Sequence, residues 1–106
     1  MDIEERLELE KSIVGVLKTV NDPEIPVNVF DLGLIYEVDV DDNRVAHVKM
    51  TLTAPNCPMA DQLLEEVRYK VSTVPGVAEC DLKLTFEPPW DRSMLSDEAM
   101  LELGLL

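Results

Sequence analysis

One cysteine, Cys57, stands at a position where a protein chain can activate a thiol. It lies between Asn56 and Pro58, at the start of a segment with a helical pattern of apolar residues. Backbone N–H groups and the macrodipole at a helix start favour negative charge, so both lower a thiol pKa. The resulting thiolate is the form that binds iron or attacks a disulfide. The alternative is that Cys57 only caps the helix or packs at its end, and position alone leaves both open.

The other cysteine, Cys80, has a structural pattern. It alternates in register with Leu82 and Leu84 on the apolar face of a predicted strand, where a free cysteine behaves as a small hydrophobe. The two cysteines have no CxxC spacing, and with the single His47 they cannot supply a four-ligand zinc site. His47 has no evident partner in the sequence, so we interpret it as an ordinary surface residue.

Carboxylates cluster in a loop that two prolines shape. Asp22, Glu24 and Asp31 lie in or near this loop, and their hard oxygen ligands could help to hold iron or position a partner. The alternative is that Asp22 caps a helix end or a turn while Glu24 is solvated, which is common in an acidic chain.

Two threonines and the single tryptophan complete the candidate site. Thr51 and Thr53 lead into the Cys57 loop, where they could line a site, although strand propensity also explains them. Trp90 follows two prolines and is interpreted as a lid over a core edge, or as part of a recognition surface if it is exposed.

The pattern of helices and strands that must position these residues indicates a small α+β domain. Apolar periodicity and turn residues predict helices over 3–20 and 58–72, strands over 34–40, 45–53 and 77–86, and a last helix between Ser96 and Gly104. The predicted buried stripes include Ile3 and Leu7 in the first helix and Met59 in the second, and alternation places Tyr36 and Phe86 on apolar strand faces. The turn residues 41–43 predict a hairpin of the first two strands, and Ser96 is the predicted N-cap of the last helix. Each strand has one apolar and one polar face, with Thr51 and Thr53 on the polar face. We therefore expect one domain over 1–106, of order α-β-β-α-β-α, with a three-stranded sheet and helices packed on one face.

Composition limits the classes of partner. The 106 residues carry a formal net charge of −13, which disfavours binding to a phosphate backbone, so no nucleic-acid partner is expected. No apolar run is long enough to cross a membrane, and the acidic N-terminus is not that of a secretory signal. We expect a cytoplasmic protein without a membrane partner.

Three stretches together resemble one family. They are DPEIPVNVFDLGLIY (22–36), MTLTAPNCPMA (50–60) and FEPPWD (86–91). In this order and at this spacing they resemble the metal–sulfur cluster assembly factors of the SufT, PaaD and MIP18 type, long known only as a domain of unknown function. The resemblance covers nearly the whole chain. PaaD-type members carry further cysteines near the C-terminus, and this chain lacks them, so it resembles the stand-alone core domain.

The resemblance implies a role in maturing iron–sulfur proteins, without a turnover reaction. It implies that Cys57 is the reactive residue, which makes Cys57 the candidate metal ligand, and that Asp22, with Glu24 beside it, matches the acidic position. Thr51 and Thr53 match the threonines that precede the family's cysteine. The implied fold is that of other iron–sulfur carrier domains.

Three hypotheses for function stay open at this point. In the first, Cys57 carries iron or a cluster transiently; one thiolate cannot hold a four-thiolate cluster, so a homodimer or a client must add ligands. In the second, the chain is a metal-free adaptor that joins assembly machinery to apo-protein clients through the Trp90 loop and the polar sheet face. The third, a thiol redox protein, lacks an adjacent resolving cysteine. No tightly bound cofactor is expected.

Overall fold

The computed structural model describes residues 1–53 and 59–105, and its elements follow the predicted order. They are α1 (Ile3–Leu17), β1 (Ile35–Val40), β2 (Val45–Met50), α2 (Ala60–Ser72), β3 (Glu79–Leu84), a 3₁₀ turn (Arg92–Met94) and α3 (Asp97–Glu102). The predicted Ser96 cap is confirmed, since its hydroxyl accepts the N–H of Ala99 at 3.1 Å. No helix in the described ranges is long and apolar enough to span a membrane.

The three strands form one mixed sheet in the order β1-β2-β3. β1 and β2 are the predicted antiparallel hairpin, while β2 and β3 are parallel and are connected through α2. Parallel neighbours need such a crossover, because a short turn cannot return the chain to the same end of the sheet. The ends of β2 and β3, and the start of α2, therefore lie at one end of the molecule.

Both long helices pack on one face of the sheet, as the alternation of apolar residues predicts. α1 begins at Asp2, whose side chain accepts the N–H of Glu5 at 2.8 Å. The core joins the helix residues Leu9, Ile13, Leu17, Leu63, Val67 and Val71 to the strand residues Val40, Ala46, Val48 and Met50. Each fully buried aliphatic side chain contributes about 1.5–3 kcal/mol. The other sheet face carries Glu37, Asp39, His47, Lys49, Asp81 and Lys83.

α1 differs from its prediction in length and in its buried stripe. It ends at Leu17 rather than Val20, yet Val20 is still fully buried. The Val20 N–H donates to the Leu17 carbonyl, and the Val20 carbonyl accepts the N–H of Val29, so the chain after α1 stays against the core. Ile3 and Leu7, predicted for the buried stripe, are exposed, and Leu9 is buried instead.

The strands are shorter than predicted, and β1 contains an irregularity. Ile35 pairs with Met50 and Glu37 with Lys49, so one extra residue is accommodated between them. Ile35 therefore takes the inward position that alternation gave to Tyr36, and the Tyr36 hydroxyl instead donates to the Pro88 carbonyl at 2.7 Å. Such a bulge has no local signature in the apolar pattern.

Candidate functional site

The structure places most of the candidate residues at one end of the sheet. We call this the carboxyl end: the segment after β2 (51–53), the start of α2, the segment after β3 (85–94) and the loop 20–34 that leads into β1. Thr51 donates its backbone N–H to Leu34 at 2.8 Å, and Thr85 donates to Met50 at 2.9 Å, so these segments meet there. In open α/β sheets the corresponding end is where ligands bind.

Thr51 is the most unusual residue at the carboxyl end. Alternation predicted it on the solvent-facing polar face, and this is wrong: Thr51 is fully buried. Its hydroxyl has no hydrogen-bond partner among the described residues. A buried, unsatisfied hydroxyl costs about 1–3 kcal/mol, so this side chain reduces stability where it stands. Thr53, two residues on, is half-buried.

Asp22 takes the turn-forming role that was its structural alternative. Its carboxylate accepts the N–H groups of Glu24 at 2.8 Å and Ile25 at 2.9 Å, and the residue is buried. Glu24 points to solvent, and Asp31 is held by the side-chain amide of Asn28 at 2.8 Å. These hydrogen bonds shape the loop, and they leave Glu24 as its exposed carboxylate.

Trp90 covers the same loop. Its indole N–H donates to the Leu32 carbonyl at 2.7 Å, and its ring packs against the core while half-buried. This geometry agrees with the interpretation as a lid over a core edge. Close by, Gly33 has φ +81°, and a Cβ there would lie 2.4 Å from the Met94 carbonyl oxygen. The segment after β3 is therefore fitted tightly onto the loop before β1.

Cys57 and its neighbours at 54–58 lie outside the described residues, so its assigned role and the predicted Pro58 helix start stay predictions. The described residues on either side are informative. α2 begins after Met59, which makes no side-chain cap hydrogen bond, and Asp61 is the acidic side chain in its first turn. Met59 was predicted on the buried stripe of α2, but it is 40% exposed.

Apolar side chains are also exposed at the carboxyl end. Leu84, the last residue of β3, is 42% exposed and Phe86 is 37% exposed, although alternation predicted both on a covered face. With Met59 they are exposed large apolar side chains on or next to the segments of the carboxyl end, and we call these three the exposed apolar group. Exposed groups of this kind commonly mark interaction surfaces.

His47 has partners that its sequence did not indicate. On the outer sheet face, its Nε2 lies 2.9 Å from an Asp41 oxygen and its Nδ1 lies 3.1 Å from Asp81. The hydrogen bond with Asp41, then that with Asp81, raises the His47 pKa above its usual value. The same contact with His47 lowers the Asp41 pKa. The β1–β2 hairpin brings Asp41 to His47, and the parallel pairing of β2 with β3 adds Asp81, so the Asp81 contact depends on the strand order.

Cys80 fits the structural interpretation. It is half-buried on the inner face of β3, and burial raises the pKa of its thiol to about 11. A thiol with this pKa is almost wholly protonated near neutral pH, so it is a poor nucleophile and metal ligand. Over 1–53 and 59–105, no group of three or more His, Cys, Asp or Glu side chains is arranged to hold a metal ion.

A sequence profile of the family described as "Iron-sulfur cluster assembly protein" matches residues 10–82. This chain belongs to that family. A protein of Porphyromonas gingivalis named as an Fe-S protein maturation auxiliary factor is 60% identical over 102 residues, which cover 96% of this chain and 97% of that protein. The predicted family is thereby confirmed.

Two further comparisons bear on the fold and on the relatives' roles. The crystal structure of a domain of unknown function, DUF59, from Bacillus anthracis superposes with a TM-score of 0.91 at 35% identity, covering 99% of this chain and 100% of that one. A longer Synechocystis protein named as an iron-sulfur cluster carrier protein is 31% identical over 83 residues, which are 78% of this chain and 23% of that protein. The predicted α+β fold is confirmed, and relatives in this assembly family are named as auxiliary factors and carriers.

Proposed function

We propose that this chain is a non-enzymatic, cytoplasmic factor in the maturation of iron–sulfur proteins, with Cys57 as its reactive residue. Membership of the assembly family supports the pathway, and the names of the relatives support an auxiliary or carrier role. The observation that carries the site is the carboxyl end, where the uncapped start of α2 and the buried Thr51 hydroxyl flank the Cys57 segment in sequence.

Thr51 supports this assignment because its buried hydroxyl has no hydrogen-bond partner among residues 1–53 and 59–105. Natural proteins keep such groups mainly where function uses them. The start of α2 supports it because the N–H groups and the dipole at the start of a helix favour a thiolate or a bound anionic cluster. Asp22 and Trp90 take supporting roles in this proposal, since both shape the loop 20–34 from within, and Glu24 is the acidic group that a partner can reach.

The number of ligands limits what Cys57 does. A cluster that is held by four thiolates needs more than one thiolate per chain, and the raised pKa of Cys80 makes that residue a poor second ligand. We therefore propose that iron or a cluster is held transiently, while a client or a second copy of the chain supplies the remaining ligands. Partners are then the assembly machinery and apo-protein clients.

Anaerobic reconstitution tests the role of Cys57 as a ligand. Wild type, Cys57→Ser and the matched control Cys80→Ser are incubated with iron and sulfide, then desalted and assayed for both. We expect wild type and Cys80→Ser to retain iron and sulfide and Cys57→Ser to lose them. Equal retention by wild type and Cys57→Ser would remove the ligand role.

A metal-free adaptor is the second candidate, and the exposed apolar group Met59, Leu84 and Phe86 favours it. An adaptor needs the surface but not the thiolate. Client maturation in cells separates the two functions. If the chain is a carrier, the Cys57→Ser variant should fail to support maturation. If it is an adaptor, Cys57→Ser should support maturation and Phe86→Ser should not.

Alkylation of Cys57 against pH, in a Cys80→Ser background, tests the thiol redox alternative. A Cys57 pKa near the ordinary value of about 8.5 would contradict that alternative.

A further inference from the structure

The two edges of the sheet carry different charges and cover their apolar faces to different degrees. β3 is an edge strand, and its outer side has no strand partner in the described part of the chain. Its inner-face residues Cys80 and Leu82 are half-buried and Leu84 is exposed, so the helices cover this edge incompletely. An uncovered edge strand with apolar side chains is a template for pairing with another strand.

We propose that β3 pairs with β3 of a second copy of this chain. The two strands run antiparallel about a two-fold axis through Leu82 and join two sheets into one of six strands. This proposal goes beyond the function proposed above and does not depend on it. It rests on the order of charged and apolar residues along β3.

Symmetry makes this order decisive. A two-fold axis perpendicular to the sheet keeps inner-face residues opposite inner-face residues, and outer opposite outer. With the axis through Leu82, Asp81 of each copy lies opposite Lys83 of the other, so two oppositely charged pairs form on the outer face. On the inner face Leu82 meets its own copy, and Cys80 meets the exposed Leu84. Cross-strand pairs of both kinds stabilise antiparallel strands.

Other registers of the same strand oppose like charges. With the axis through Asp81, two Asp81 carboxylates face each other, although Glu79 then lies opposite Lys83. With the axis through Lys83, two ammonium groups face each other, and with the axis through Cys80, Glu79 lies opposite Asp81. Like charges directly opposite are destabilising, and of these four registers the one through Leu82 has opposite charges paired and no like charges directly opposite.

Lys83 has no counter-charge within the described ranges of the chain. The pairing of β2 with β3 places it directly opposite Lys49, which forms its own ion pair with Glu37 at 3.2 Å. Among the described residues Lys83 forms no ion pair, although the chain has more than twice as many acidic as basic residues. Asp81 of a second copy supplies the carboxylate that Lys83 lacks.

The β1 edge has the opposite character. Its outer-face residues in the regular part of the strand are Glu37 and Asp39, and an axis through Val38 would place Glu37 opposite Asp39 of the second copy. The irregularity between Ile35 and Glu37 also interrupts this edge, and natural edges are protected by charges and bulges of this kind. Of the two edges, only β3 is complementary to itself.

The pairing has a consequence for the carboxyl end. Antiparallel β3 strands direct the carboxyl ends of the two copies away from each other. In this dimer the two copies do not share one cluster site across the β3 interface.

Charge reversal tests the register. The mass of the full chain in solution is measured by sedimentation velocity over a range of concentrations for wild type, Lys83→Glu, Asp81→Lys and an equimolar mixture of these two variants. Each variant alone places like charges at both pairs, so we expect its dimer to dissociate about tenfold or more readily than wild type. In the mixture, both cross-strand pairs are again of opposite charge, so a heterodimer forms.

The control is Asp39→Lys, which changes an outer-face charge at the other edge and should leave the dimer unchanged. Recovery of the dimer in the mixture also shows that both variants fold. A monomeric wild type at every concentration would overturn the proposal, as would a Lys83→Glu dimer as stable as wild type. A dimer strengthened by Asp39→Lys would assign the interface to β1. None of these outcomes bears on iron binding by Cys57.

Discussion

The two ends of the sheet satisfy their polar groups to very different degrees. At the hairpin end, which holds the turn 41–44 and the start of α1, Arg6 bonds Asp42 at 2.7 Å and Arg44 bonds Glu5 at 2.9 Å. At the carboxyl end, Thr51 is buried without a partner in the part of the chain that the structure describes, and Met59 makes no side-chain cap bond at the start of α2. Groups left unsatisfied in this way commonly belong to sites that bind something else, so the contrast separates a structural end from a functional one.

A glycine at each end gives the largest expected difference. Gly33 and Gly76 both have φ in the left-handed region, but the neighbours of a new Cβ differ. At Gly33 it meets the Met94 backbone, which cannot move away, so we expect Gly33→Ala to lower the free energy of unfolding by about 3 kcal/mol or more. At Gly76 it meets the flexible end of Leu9, so Gly76→Ala should cost about 1–2 kcal/mol. Urea unfolding measures both, and equal losses would show that the ends are equally tight.

Thr51→Val should raise the free energy of unfolding, whereas the two glycine variants lower it. Valine has the shape of threonine without its hydroxyl, so removing the unsatisfied group should raise the free energy of unfolding by about 1 kcal/mol. If the hydroxyl serves the site, client maturation should fall in the same variant. Thr85→Val is the control just after β3, because the half-buried Thr85 hydroxyl accepts the Glu87 N–H at 3.2 Å, so its removal should not raise the free energy of unfolding. A destabilised Thr51→Val would show that the hydroxyl is satisfied in the folded protein.

The ion pairs of the hairpin end should have small effects. The Arg44 and Glu5 side chains are about half exposed, so water and salt screen their attraction. We expect Arg44→Ala to lower the free energy of unfolding by less than about 1 kcal/mol, with a difference from wild type that shrinks as salt is added. Lys11→Ala is the control, because the Lys11 to Glu8 distance is 3.8 Å and both side chains are largely exposed. If the stability loss of Arg44→Ala does not change with salt concentration, lost packing rather than lost charge would explain it.

The smallest effect concerns pH and the His47 cluster. The His47 pKa is raised in the folded state, so protonated His47 adds to the free energy of unfolding. This contribution is fully present below the unfolded-state pKa of about 6.5 and is lost as the pH rises through the folded-state pKa. The lowered Asp41 pKa sets the acid limit, where protonation of Asp41 removes the contact. Thermal unfolding of wild type and His47→Gln against pH should therefore differ most in the mildly acidic range. NMR titration of this single histidine gives its pKa directly, and a value at or below about 6.5 would contradict the cluster.

Local patterns predicted the elements and the fold, because apolar periodicity depends only on which face of an element is covered. They failed where a distant segment decides the environment of a residue. Val20 is buried although α1 has ended, since its carbonyl accepts from Val29 across the loop. Tyr36 is displaced from the inner row by the bulge and bonds Pro88, which lies 52 positions away in the chain.

The candidate site follows the same division. The motifs placed Thr51, Asp22 and Trp90 in one region, and the structure gathers their segments at the carboxyl end. The burial of Thr51 and the partners of His47 depend on how the sheet is assembled, and alternation along a single strand contains no information about strand order. Cys57 remains a prediction from its sequence position and from the family resemblance.

The contact between Trp90 and Leu32 also gives the protein a built-in optical reporter. Trp90 is the only tryptophan, and it is seated on the loop at the carboxyl end. Its emission therefore follows the local environment of that end alone, while circular dichroism follows the helices and strands of the whole chain. Recording both signals during one denaturant titration would reveal whether this end loosens before the remainder unfolds, without any label or added cofactor.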